Sequence, residues 1–279
     1  MSELSYTDHS RNFREYRYIY PVVSRRAEGV SLGINLNTNN ACNWRCVYCQ
    51  VEGLLRGKPE AIDLARLESE LESMLHWILR GDFIANHAPE GLQRLNDLCL
   101  SGNGESTLAP EFLTVCEIIA RLRQRCAVPQ AVKTILISNG SEMHKAEIQQ
   151  GLRIIAANSG EVWFKIDRAT GPGIAQVNQV NLQLSGVVER FKLAAACCPI
   201  MVQSCWFKTA GQDPEEEEVT SFIALIREIK DYVSGVLLYS TARNPQLPEG
   251  QGISQVSLEF LAQMAQQLQY CGIPVKYYQ

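Results

Sequence analysis

The sequence contains no apolar run long enough to cross a bilayer. Its longest, Leu193 to Val202, is ten residues and includes Pro199, about half of the ~20 a transmembrane helix needs. The opening MSELSYTDHSRNFREYR lacks the apolar core of a secretory signal, so a cytoplasmic protein is expected, with no membrane partner. An excess of one charge is also missing. Lys plus Arg number 26 against 30 Asp plus Glu, a net of −4, so no overall basic field advertises a nucleic-acid polymer and DNA is not an expected partner. The four histidines, His9, His76, His87 and His144, are scattered and read as surface or helix polar residues. With 46% apolar and 20% charged residues, the chain is neither low-complexity nor disordered. Its 279 residues suffice for one large or two small domains.

Cysteine, by contrast, is plentiful, at ten residues. In a reducing compartment these are metal ligands, redox groups or small buried apolar residues rather than a disulfide framework. Their positions must decide between those roles.

Hydrophobic periodicity alternates short β-rich runs with longer amphipathic stretches, as when helices cover a mostly parallel sheet. Strands are expected at residues 31–36, 97–101, 133–138, 161–167, 199–207 and 235–240, with another at 273–278. Asp63 should cap a helix whose apolar face is Leu64, Leu67, Leu71, Met74, Leu75 and Ile78, with Gly81 past its end. Asp213 should cap another, with Pro214 at its first position and Glu215 to Glu218 as a solvated first turn. Further helices are expected from Pro110 to Leu122, from Ser141 to Leu152 and after Ser257. Residues 81–96 and 241–254 read as surface excursions. No repeat or composition shift divides the chain, so a single α/β domain is expected over residues 1–279: an N-terminal extension 1–28, a core 29–243 and a C-terminal helix and strand in 254–279.

After the first expected strand comes NTNNACNWRCVYCQVEG, which places Cys42, Cys46 and Cys49 at C-x3-C-x2-C spacing on a strand-to-helix loop. Such a loop can aim three thiolates at one point, and thiolates suit zinc or iron with sulfide. A structural zinc site wants four ligands, and no fourth Cys or His lies nearby in sequence. A zinc knuckle completed by a distant ligand and inert buried cysteines stay open as alternatives. Of the rest, Cys99 and Cys116 read as packing residues, Cys197, Cys198 and Cys205 as buried rather than a second cluster, and Cys126 and Cys271 show no partner.

This spacing, with the aromatic Tyr48 before the third cysteine, resembles the signature of the radical S-adenosylmethionine (SAM) superfamily. The resemblance implies a partial (β/α)6 TIM-like barrel and a four-iron-four-sulfur (4Fe-4S) cluster held by Cys42, Cys46 and Cys49. Its open iron would chelate SAM, which an electron from a flavodoxin-type or ferredoxin-type donor would cleave to a 5'-deoxyadenosyl radical. LSGNGESTL, residues 100–108, is similar to the family's glycine-glycine-glutamate element and implies that Gly102, Asn103, Gly104 and Glu105 accept the SAM ammonium. SNG, ending in Asn139 and Gly140, and WFKIDRAT, with Lys165 and Asp167, resemble later family patterns. They imply Asp167 on the ribose hydroxyls and Lys165 or Arg168 on the SAM carboxylate; a plain Lys165–Asp167 ion pair is the alternative. The next strand offers Gln203 and Ser204, with Ser204 taken as cofactor-facing, and Arg243 is a candidate substrate-facing cation.

The stretch VVSRRAEGVSLGINL before the triplet, with SGNGES and STARNP, resembles the branch related to the tRNA wyosine-base synthases. Members of that branch hold a second cluster on cysteines upstream of the triplet. This chain has none before Cys42, so only the SAM half of the chemistry is implied, acting on an unidentified small molecule or RNA base.

Overall fold

A computed structural model of the chain describes Leu4, Arg11, residues 13–24 and residues 29–279. His9 and residues 25–28 of the VVSRRAEG stretch lie outside the described residues. The chain enters through β1 (Ile19–Ser24) and β2 (Gly29–Ile34), then a short pair, β3 (Ala41–Cys42) and β4 (Leu55–Arg56). Helices α1 (Leu64–Arg80) and α2 (Phe83–His87) lead to β5 (Leu95–Leu100), followed by α3 (Phe112–Arg125) and β6 (Lys133–Ser138). Next come α4 (Ala146–Ala157), β7 (Gly160–Lys165), α5 (Gly171–Asn178), α6 (Leu184–Ala195) and β8 (Ile200–Cys205). Then follow β9 (Phe207–Thr209), α7 (Glu216–Glu228), β10 (Gly235–Tyr239), β11 (Ile253–Gln255), α8 (Leu258–Tyr270) and β12 (Val275–Tyr278).

Eight strands form one sheet in the order β1-β2-β5-β6-β7-β8-β10-β12. Only the β1–β2 pair is antiparallel; the other pairs are parallel. The result is an open α/β half-barrel within a single domain, as expected. Period-2 alternation splits each strand between two environments. Leu32, Leu98, Leu136, Phe164, Val202 and Leu238 point outward into the core beneath the helices. Cys99, Ile135, Trp163 and Leu237 pack together on the inner face.

Helix α1 shows how the outer layer is built. Asp63 caps it, accepting from the Arg66 amide at 3.0 Å, and Leu67, Leu71, Met74, Leu75 and Ile78 bury the expected stripe. Each such side chain contributes about 1.5–3 kcal/mol. Glu70 on the same helix is buried as well. Its carboxylate accepts from the Arg17 and Tyr18 amides at 2.9–3.0 Å and pairs with Arg66 at 2.7 Å, so the helix clamps the entry into β1.

Several expectations need correction. β1 was not anticipated and extends the sheet into the supposed N-terminal extension. Asp213 does not cap α7: it pairs with Lys208 at 3.3 Å beside a tight turn closed between Thr209 and Gln212, and the helix begins after Glu215. Glu218 is not a solvated carboxylate either, because it accepts from the Thr170 hydroxyl at the N-cap of α5. Pro110 precedes α3 by two residues and Ser141 precedes α4 by more than a turn. The excursion at 81–96 contains α2, and that at 241–254 includes β11, which pairs with β9. Among the described residues no helix is long and apolar enough to cross a membrane.

Candidate functional site

The polar groups collect where the parallel strands end, the usual ligand position in such sheets. There the inner face encloses a cavity of about 320 Å3, within the range of small-ligand sites. Tyr20, Tyr48, Trp163, Tyr239 and Tyr278 supply its aromatic wall, and Arg11, Lys165 and Arg243 are its cationic lining residues.

The loop carrying Cys42, Cys46 and Cys49 closes one side. It is pinned from several directions. The Arg45 and Val47 amides donate to Asn178 and Val177 at the end of α5, the Gln246 amide donates to the Cys49 carbonyl, and Arg45 pairs with Glu249 at 2.7 Å. Asn43 donates to the Ser141 hydroxyl at 2.8 Å and accepts from Asn139 at 2.9 Å. The Asn178 carboxamide donates to Cys46 Sγ at 3.3 Å. Val51, Leu54 and Leu247 form an apolar patch against Cys42 and Cys49. Burial pushes all three thiols up, that of Cys42 to about 12, so a metal bound there would have to displace their protons.

A single tetrahedral zinc, with Zn–S of about 2.3 Å, needs its sulfurs roughly 3.8 Å apart. Among the described residues only Glu72, His76 and Cys126 bring three His, Cys, Asp or Glu ligand atoms within 4.8 Å of one another, so the triplet is spread more widely. Three thiols on one pinned loop are donors that suit an iron-sulfur group.

Gly102 and Gly104 line the cavity beside this loop. A Cβ on Gly104 would overlap the Ala41 carbonyl and the Asn37 amide, and one on Gly102 would overlap Asn35, so glycine allows this turn to close on the cysteine loop. Asn103 turns away; its side chain bonds Asn40 at 2.6 Å and Arg11. Asn139 likewise braces the loops rather than lining the cavity. Glu105 is 3% exposed, and its carboxylate accepts four hydrogen bonds: Thr107 N at 3.1 Å, Thr107 Oγ1 at 2.6 Å, Ser138 Oγ at 2.8 Å and Asn139 N at 2.6 Å. It clamps the ends of β5 and β6 instead of presenting a free carboxylate. Burial pushes its pKa up against those four bonds.

The Lys165–Asp167 pair takes the form of the ion-pair alternative. Lys165 Nζ lies 3.1 Å from Asp167 Oδ1, donates to Tyr239 OH at 2.6 Å, and sits over the Tyr48 and Tyr239 rings. Asp167 also accepts from Cys205 N at 2.9 Å, Tyr48 OH at 2.5 Å and Asn178 Nδ2 at 2.8 Å. Both carboxylate oxygens are thus engaged within the protein, and neither is left for a ribose. Burial opposes ionisation of Asp167, but Lys165 and these donors outweigh it and hold the carboxyl below its usual range. Arg168 is buried against Trp206 and Phe207, donating to the Asp167 and Cys205 carbonyls, so it is structural.

Ser204 lies on the other face of its strand. Along β8, Gln203 and Cys205 line the cavity, whereas Ser204 points with Ile200 and Val202 to the helix side and is fully buried. The inward position belongs to Gln203, which is 2% exposed and whose Nε2 has no hydrogen-bond partner. Among the remaining cysteines, Cys116 and Cys198 are buried beneath the helices, and Cys99 and Cys205 line the cavity.

No protein-family model matches the sequence. A UPF0026 protein of Helicobacter pylori is 30% identical over 134 residues, which are 48% of this chain and 38% of that protein; the chain thus spans well under half of the relative. A radical SAM methyltransferase from Sphaerobacter thermophilus superposes with a TM-score of 0.61 at 12% identity, covering 92% of this chain and 68% of the other. A spore photoproduct lyase variant with bound AdoMet and dinucleoside spore photoproduct gives 0.56 at 11% identity, covering 95% and 80%. The fold is therefore the partial barrel found in radical SAM enzymes.

Proposed function

We propose that this chain is a radical SAM enzyme. The observation that carries this reading is the loop of Cys42, Cys46 and Cys49, three thiols pinned beside the cavity of a half-barrel whose fold is that of radical SAM enzymes. A 4Fe-4S cluster held there with SAM would supply a 5'-deoxyadenosyl radical for hydrogen abstraction from a substrate in the cavity.

The chain's own residues prepare for that chemistry. Asn178 donates toward the Cys46 sulfur, a contact that tunes thiolate basicity. Val51, Leu54 and Leu247 keep water from the sulfur side. Gly102 and Gly104 leave their part of the cavity wall bare of side chains. Tyr48, tethered through its hydroxyl to Asp167, fixes the loop to the end of β7. Lys165 is already paired with Asp167, and Asp97 also lines the cavity, so a SAM carboxylate or an anionic substrate would meet Arg11 and Arg243. The electron donor is a flavodoxin-type or ferredoxin-type protein, and the substrate a small molecule or an RNA base that fits about 320 Å3.

Anaerobic reconstitution followed by SAM and dithionite tests this reading. About four irons and four sulfides per chain and release of 5'-deoxyadenosine are expected, and Cys46→Ala should abolish both. Zinc without labile sulfide would sink the proposal, while methylthioadenosine as product would redirect it to a transferase.

A further inference from the structure

Glu72 and His76 stand four residues apart on α1, one turn along the same face. Cys126, whose thiol is buried, is the C-cap of α3, which packs on α1. The carboxylate, imidazole and thiol atoms of these three lie within 4.8 Å of one another. His76 is exposed, whereas Cys126 is buried. Glu72 pairs with Arg125 at 2.6 Å, and Arg125 also reaches Glu68 at 3.3 Å, so Arg125 keeps a carboxylate partner if Glu72 turns away.

We propose that Glu72, His76 and Cys126 form a site for one divalent ion of the zinc class, separate from the cysteine loop. Oxygen, imidazole nitrogen and thiolate sulfur are the donors zinc prefers, and bonds of about 2.0–2.3 Å place tetrahedral ligands roughly 3.3–3.8 Å apart. Reaching that spacing from the observed spread requires the side chains to rotate, Glu72 turning from Arg125. The Cys126 thiol releases its proton to solvent on binding, and the exposed side of His76 leaves the fourth position to water. Both α1 and α3 lead from the carboxyl end of one strand to the amino end of the next. The C-terminal end of α3 therefore lies at the opposite end of the barrel from the cysteine loop. An ion there ties two neighbouring outer helices together without touching the cavity.

Cobalt(II) titration tests the site in the full-length chain carrying Cys42→Ala, Cys46→Ala and Cys49→Ala, which removes the competing sulfurs. One cobalt per chain is expected, with a thiolate-to-cobalt charge-transfer band that Cys126→Ser removes. His76→Gln, at an exposed position that folding tolerates, should weaken binding by about tenfold or more, and zinc should displace the cobalt and raise the melting temperature. Absence of the band overturns the proposal. So does a band that survives Cys126→Ser, or an affinity unchanged in His76→Gln.

Discussion

The most discriminating substitution is at Glu105. The sequence motif implies that its carboxylate receives the SAM ammonium, but the structure directs four donors at it from within the chain. Hydrogen bonds to a charged acceptor are worth about 1.5–3 kcal/mol each, and bonds sharing one acceptor are not additive. Glu105→Ala strands buried donors at the ends of two strands and should cost roughly 3–5 kcal/mol. Glu105→Gln is more informative. Three donors converge on one oxygen, so the amide oxygen remains there and the new NH2 faces the Asn139 amide, donor against donor. That change should cost about 1–3 kcal/mol. Because the bonds exist without cofactor, both losses should appear in urea unfolding of the metal-free protein. The pH dependence carries a sign as well. Burial raises the native pKa of Glu105 above its unfolded value, so the native state binds the proton more tightly. Its contribution is greatest at low pH and falls as pH rises from the ordinary glutamate range through the raised native value. Glu105→Gln should remove that slope. Metal-free stability unchanged in both variants, with only SAM affinity reduced, would refute the clamp.

Lys165→Met leaves Asp167 buried without its cation and should cost about 3–5 kcal/mol, most of it recovered in Lys165→Met with Asp167→Asn; a double-mutant coupling below about 1 kcal/mol would refute the pairing. Ser204→Ala removes a buried hydroxyl that has no partner. It should be neutral to about 1 kcal/mol stabilising in chemical denaturation and leave 5'-deoxyadenosine formation unchanged; a loss of turnover would place Ser204 in the cavity after all. Gly104→Ala drives a Cβ into the Ala41 carbonyl next to Cys42 and should at least halve the iron retained after reconstitution. Gly57→Ala, which meets only Ala41 Cβ at 3.9 Å, should retain it.

The fold was legible because its signals are local. The α1 stripe, its Asp63 cap and the Ser257 cap are set by neighbours within one turn of helix, and the parallel strands declared themselves as short β-rich runs. What escaped notice depended on distant partners or mixed signals. β1 carries Pro21, which argues against a central strand and is tolerated because β1 is an edge. α5 begins Gly171, Pro172, Gly173, a turn signature, yet Thr170 accepts from the Gly173 amide at 3.0 Å and Glu218 anchors that cap from another helix. Glu70 sits on the apolar face of α1, and only the chain folding back over it at Arg17 and Tyr18 explains its burial.

The same division governs the site. Topology alone carries the cysteine loop, the glycine turn and the strand ends to one mouth, so the sequence could place them together. It could not count which polar groups were already satisfied. Asp167 meets Tyr48, 119 residues away, and Cys205, 38 residues away, contacts with no signature near the WFKIDRAT stretch. Strand parity, by contrast, was available. Cys205 and Gln203 share a face, and the adjacent Ser204 necessarily takes the other. A polar side chain at a strand end is a binding candidate to the extent that its donors remain unmet. By that criterion Gln203, whose buried Nε2 on the cavity wall has no hydrogen-bond partner, ranks ahead of Asp167, whose two oxygens are both taken.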